Sequence, residues 1–223
     1  MPESQVLRDA ILDLKPDYSF NLHDQRRFYN ITGTKLPSTI SFLAPAFDES
    51  ESVNKSRLRA MQLIVALRED LETVISGQVG LYDDSYSPRA FGDYAQSQGS
   101  STILIESGWE QYDLEKEGIR KLNFALIVSS LNSITNNSHR KFSEDDYFSI
   151  PRNDEKLFDV LIRGAMIAKD QKNYAIDIGI QREEIMIASS TLFYSKGRVE
   201  DLGDLNGWFG FDEIDASGLY LMA

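Results

Sequence analysis

Two side chains stand where an α/β protein places its chemistry. His23 closes the alternating run Tyr18-Ser19-Phe20-Asn21-Leu22-His23, and Glu106 closes the apolar run Thr102-Ile103-Leu104-Ile105. Both runs read as strands, and ligands of open α/β sheets bind beyond the carboxyl ends of strands. An imidazole and a carboxylate placed there can serve as metal ligand and general base. Each also has a plain structural use. A strand-end histidine can satisfy a local hydrogen bond, and a glutamate before Ser107-Gly108 can cap the turn that follows.

Other chemistries are narrowed by what the sequence lacks. It has no cysteine, which excludes disulfides, thiolate metal sites and a cysteine nucleophile. Its 2 histidines, His23 and His139, exclude a three-histidine site built from one chain. Neither histidine opens an HxxE or HExxH pattern, and no GxGxxG or GxxxxGK[ST] loop is present. Ser107-Gly108 is not a nucleophile elbow, because position 105 is Ile where that turn needs Gly. His139 lies among Asn, Ser, Arg and Lys and is expected to be a solvated surface residue.

The elements that must position these groups are read from apolar periodicity. Val6, Leu7, Ala10, Ile11 and Leu14 mark a helix over residues 3–14, ended by Pro16. Strands are expected at 18–23, 39–43 and 102–105; the last lacks alternation and is expected in the middle of a sheet, buried on both faces. Long helices are expected over 53–75 and 113–134, the second burying Ile119, Leu122, Phe124, Ala125, Ile127, Val128 and Leu131. The Gly-, Ser-, Asp- and Tyr-rich stretch 80–101 reads as one long loop, whose tyrosines Tyr82, Tyr86 and Tyr94 either face a substrate or pack the loop. The polar run 135–141 reads as a linker, and short β-like runs follow it. The expected architecture is therefore an α/β domain over residues 1–138 and a small β-rich extension over 139–223.

The 223 residues carry 23 Lys plus Arg against 35 Asp plus Glu, a net charge of -12. The acid is spread evenly, so neither part is a hidden basic module. This makes nucleic acid and anionic membrane surfaces poor partners. No run of 18 apolar residues is present, as a membrane span requires. No signal peptide is read at Met1-Pro2-Glu3-Ser4, which tips the expected compartment toward the cytoplasm.

Five segments in order carry a resemblance: Phe20-Asn21-Leu22-His23-Asp24-Gln25, Ser41-Phe42-Leu43-Ala44-Pro45-Ala46, Phe91-Gly92-Asp93-Tyr94, Ile103-Leu104-Ile105-Glu106-Ser107-Gly108 and Ile119-Arg120-Lys121-Leu122-Asn123-Phe124. Together they resemble the C-terminal half of a zinc carboxypeptidase domain of the carboxypeptidase A-like family, in its bacterial, Bacteroidetes-type branch. The resemblance covers residues 2–135. The tail around 157–179 and 212–221 resembles a small C-terminal extension of some members. It implies a partial three-layer αβα domain with a mixed sheet. It further implies a hydrolase that removes C-terminal residues from peptides with a free C-terminus. His23 would match a zinc ligand, Glu106 the general base on zinc-activated water, and Tyr86 a substrate-covering tyrosine.

The family's HxxE zinc ligands, its oxyanion-stabilising arginine and its carboxylate-gripping Asn-Arg pair have no match in these residues. The chain is thus expected to be a truncated metallopeptidase, inactive alone, and open to self-association through an exposed sheet edge. The competing expectation is a non-catalytic interaction module, or a degenerate remnant, in which His23 and Glu106 are relics.

Overall fold

The apolar repeats of the first 154 residues fold as helices on a mixed sheet. The computed structural model describes residues 2–83, 85–110, 113, 115–188 and 191–221. Helix α1 spans Pro2–Leu14 and leads into strand β1, Tyr18–Asp24. Strands β2 (Asn30–Ile31) and β3 (Ile40–Leu43) precede helix α2, Lys55–Glu72. Asn54 starts α2, its side chain accepting from the Arg57 backbone N–H at 2.9 Å. Strand β4 (Val79–Leu81), helix α3 (Phe91–Ser97), strand β5 (Ser101–Ser107) and helix α4 (Glu117–Asn136) follow. A 3-10 turn (Ser138–Lys141), helix α5 (Glu144–Phe148) and strand β6 (Asn153–Asp154) come next. Strands β7 (Leu157–Lys169), β8 (Lys172–Met186), β9 (Phe193–Gly203) and β10 (Phe209–Asp215) close the chain.

The chain divides into two compact units: Met1–Thr32 with Leu36–Asp154, and Gly33–Lys35 with Glu155–Ala223. The division falls after Asp154 rather than at 138, because the 3-10 turn and α5 pack on α2. Among the described residues no helix is long and apolar enough to cross a membrane.

The sheet of the first unit has the order β1-β5-β3-β4, with β5 parallel to β1, antiparallel to β3, and β3 parallel to β4. This is the expected mixed α/β arrangement, and β5 is flanked on both sides as its unbroken apolar run requires. One face of the sheet is apolar. Ile103, Ile105, Ile40, Phe42, Val79 and Leu81 pack there with Met61, Ile64 and Leu67 of α2 and Leu126 of α4. Arg57 of α2 is fully buried, and its guanidinium donates to the carbonyls of Ala44, at 3.1 Å, and Ser52, at 3.2 Å. It thereby ties down the chain that leaves β3.

Three expectations are corrected. The stretch 80–101 is not one loop. It opens within β4 and contains α3, since Val79-Gly80-Leu81 finds a ladder on β3 and Phe91–Ser97 lies against β5 and β1. Helix α4 buries Ile119 and Leu126 but leaves Phe124 74 % and Leu131 56 % exposed, so its apolar residues form two stripes and only one faces the sheet. The expected start of that helix takes in Leu114, which lies outside the described residues. His139 is fully buried, not solvated. Its Nδ1 sits 3.0 Å from the Ser133 carbonyl and its Nε2 2.9 Å from the Tyr18 hydroxyl, so the polar run around it is a packed turn. Donation from Nδ1–H to Ser133 leaves Nε2 to accept from Tyr18.

The second unit is one sheet of order β10-β7-β8-β9, in which β7, β8 and β9 are antiparallel and β10 is parallel to β7. Its core is two small clusters: Phe158, Leu161 and Leu205 with Trp208 packed against them, and Ala165, Ile178 and Ala216 with Ile162, Ile176 and Ile180. The Phe158 and Trp208 rings stack at 4.8 Å. Gly179 makes room for that stack, for a Cβ there would lie 2.5 Å from the Phe158 ring.

Candidate functional site

Beyond Leu104 and Leu43 the second face of the first sheet turns polar at the carboxyl ends of β1 and β5, and strand register alone assembles that end. Residues in register on neighbouring strands point to the same side. His23 is in register with Glu106, Glu106 with Ser41, and Ser41 with Gly80. One rung of four strands thus reads His-Glu-Ser-Gly. The two residues singled out from sequence, more than eighty positions apart, are neighbours at the carboxyl ends of two parallel strands.

His23 is exposed, and its Nε2 lies 3.0 Å from Asn21 Oδ1, two residues back on the same face. Glu106 is 8 % exposed. Burial pushes its carboxyl above the usual range; the His23 imidazole opposes that shift and the Asp24 carboxylate adds to it. Asp24 is itself paired with Lys116, at the start of α4. A carboxyl held this way ionises reluctantly, and once ionised it is a stronger base than a solvated glutamate.

Beside Glu106 the rung continues into a hydrogen-bonded serine cluster. Ser41 Oγ donates to Gln25 Oε1 at 3.0 Å and accepts from Asn153 Nδ2 at 3.0 Å. Its hydroxyl proton is therefore used, and Ser38 Oγ, 2.7 Å away, is the donor of that pair. Ser41 is thus a positioned support, not a free nucleophile. Gln25 is 5 % exposed, and among the described residues its Nε2 has no hydrogen-bond partner.

The tyrosine that senses Glu106 is Tyr82, which directly follows β4. Burial is the main cause that pushes its phenol up to about 12, followed by Tyr29, Glu106 and Asp83. The Tyr29 and Tyr82 rings lie 6.0 Å apart. Tyr86 is half-buried in the segment between β4 and α3. Among the described residues, no hydrogen bond or ring contact joins it to His23 or Glu106. Sequence reading named Tyr82 only as one of three loop tyrosines and passed over Gln25. The signal that sets Tyr82 apart is its place after a strand hidden in a polar stretch; Gln25 offers none.

The local folding of the site explains why its residue types are needed. Gly108 comes two residues after Glu106, and a Cβ there would lie 2.1 Å from the Ser38 carbonyl oxygen. Gly92 of α3 likewise faces Asn21 Nδ2 at 3.1 Å. Ser107 Oγ accepts from Asn123 Nδ2 of α4 at 2.9 Å. The five segments quoted from sequence therefore meet in space. Asn21 meets Gly92, Gln25 meets Ser41, and Ser107 meets Asn123.

Zinc, which the resemblance implies, does not fit these residues by themselves. A catalytic zinc takes three protein ligands. Among the described residues, no three His, Asp or Glu side chains converge on one point. What this chain supplies is one imidazole beside one raised carboxyl. Compared with family models, with curated proteins and with solved structures, the chain matches none of them.

Proposed function

We propose that residues 2–154 carry half of a peptide-hydrolysing site of the zinc-carboxypeptidase type, inactive until further polypeptide completes it. The observation that carries this reading is the rung that sets His23 beside Glu106 at the carboxyl ends of β1 and β5. Glu106 is the proton carrier: its raised carboxyl is suited to take a proton from water and return it to a leaving amine. His23 is the single ligand offered to a metal. The substrate class is a peptide with a free C-terminus.

Two features of the unit support completion by more polypeptide. Among the described residues β1 has a partner strand only on its β5 side. Near that edge Leu22 is 57 % exposed, and on α4 Phe124, Val128 and Leu131 form an exposed apolar stripe. A sheet edge and an apolar helix face left open together are what a missing layer would cover. The same stripe favours the second reading, a non-catalytic interaction module.

One experiment separates them. The genomic reading frame upstream of the Met1 codon is translated, and the extended chain is expressed. An in-frame HxxE there, stoichiometric zinc and release of C-terminal residues from a test peptide support the site. In that case His23→Ala loses both zinc and turnover, whereas Glu106→Gln loses turnover and keeps zinc. Absence of an upstream HxxE, or an extended chain that neither binds zinc nor cleaves, refutes it in favour of the interaction module.

A further inference from the structure

Helix α1 covers space rather than core. None of its residues is buried, and two cavities lie beneath the face that carries Ser4, Leu7, Arg8 and Ile11. The outer cavity, about 210 Å³, is lined by Arg8, Pro88, Arg89 and Tyr94. The inner one, about 250 Å³, is lined by Leu7, Ile11, Asn21 and Ala95. Phe91 lines both, so the two run together as a trough between α1 and α3. Protein interiors are close-packed, and gaps of this size under one helix are unusual. Together the two reach the volume of small-molecule sites, about 300–1,000 Å³.

The trough is cationic at its outer end and apolar along its body. Arg89 is exposed and, among the described residues, has neither a hydrogen bond nor an ion pair. Arg8 turns Nε and Nη2 to Asp9 Oδ1, at 3.3 and 3.2 Å, which leaves its Nη1 open. Two guanidinium groups on one small cavity repel each other unless an anion joins them, and the guanidinium fork matches a carboxylate. Leu7, Ile11, Phe91 and Ala95 offer hydrocarbon along the body. At the inner end Asn21 Oδ1 lies 3.0 Å from His23 Nε2, and Asn21 Nδ2 has no partner among the described residues. The net charge of -12 weighs against a dianion more than against a monoanion.

We infer that this trough binds a monocarboxylate with an aliphatic or aromatic body. Its carboxylate lies on Arg89 and Arg8, and its hydrocarbon runs past Phe91 toward Leu7, Ile11 and Asn21. The site meets the His23–Glu106 rung only through Asn21, and it does not rest on the peptidase reading.

Isothermal titration calorimetry of the full chain with octanoate tests this, with octan-1-ol and octyl phosphate as comparison ligands. Octanoate should bind with one site per chain, and both comparison ligands at least about tenfold more weakly. Arg89→Gln removes a charge-assisted pair and should weaken octanoate at least about tenfold. Its urea midpoint without ligand should equal the parent's, because Arg89 has no partner to lose. In nitrogen-edited NMR spectra the Asn21 side-chain amide should shift as octanoate is added. Absence of octanoate binding, an affinity indifferent to Arg89→Gln, or an Asn21 amide that does not move overturns the assignment. Octan-1-ol or octyl phosphate binding as tightly as octanoate overturns it too, the first in favour of a merely apolar gap and the second in favour of a phosphate site.

Discussion

Replacing Gly108 by Ala should unfold the first unit well before the second. The structure gives the magnitude. The new Cβ would lie 2.1 Å from the Ser38 carbonyl oxygen, and real Cβ atoms do not approach under 3.0 Å. Something must therefore move by about 0.9 Å, and the obstacle is backbone rather than a flexible side-chain end. Forced overpacking of this sort costs about 1–3 kcal/mol. Gly108 also donates its N–H to the Thr39 carbonyl at 2.9 Å, and Thr39 Oγ1 donates to the Trp109 carbonyl at 3.0 Å. Losing one of these adds about 1 kcal/mol, for a total of about 2–4 kcal/mol. With a urea slope of about 2 kcal/mol/M, the midpoint should fall by about 1–2 M. Trp109 fluorescence reads this unit in a Trp208→Phe background, which keeps an aromatic ring against Phe158. Gly99→Ala is the control: its φ is +93° and nothing lies within 4 Å of a Cβ there, so it carries backbone strain without overlap. A Gly108→Ala midpoint equal to the parent's would refute the claim that Ser38 fixes this position.

Two further outcomes concern titration. Burial is the main cause that holds the His139 imidazole below its ordinary 6.5, with Arg140 and Arg59 acting the same way and the Ser133 carbonyl opposing. The unfolded chain then binds the extra proton first. The stability is full above pH 6.5 and falls as pH drops through the lowered folded value. Urea midpoints at about pH 7 and about pH 5 should differ in the parent, and the difference should shrink in His139→Asn. Glu106 has the opposite sign. Its folded carboxyl lies above 4.5, so its contribution is present below that pH and is lost as pH rises through the folded value. Glu106→Gln should therefore melt higher than the parent at neutral pH, with the gain vanishing in acid. A variant no more stable than the parent at neutral pH would contradict the burial of this carboxylate.

The sequence made part of this site legible and hid the rest for physical reasons. His23 and Glu106 were readable because each closes a strand-like run, beyond whose carboxyl end open α/β sheets bind ligands. The centre of the sheet was readable because β5 has no alternation. The run from Gly80 to Ser101 misled because β4 is three residues long and α3 seven, too short for either period to emerge from polar neighbours. His139 misled because local polarity says nothing of a tertiary pocket, here closed by Tyr18, which is 121 positions away. Helix α4 misled because its apolar residues spread around the axis, and composition does not say which stripe a sheet will cover.

The position of β5 has a consequence for the order in which the molecule forms. The strand that joins β1 to β3 is the last of the four to leave the ribosome. Until it arrives, β1 has no partner strand among the described residues, although α3, made before β5, packs against it. The stretch β3–α2–β4 can close locally in the meantime, because its parallel strands are separated by only one helix. Joining distant strands is the slow step of folding in such topologies. The pairing of His23 with Glu106 is thus the final event in building the sheet, and amide exchange along β1 should be the last to slow during refolding.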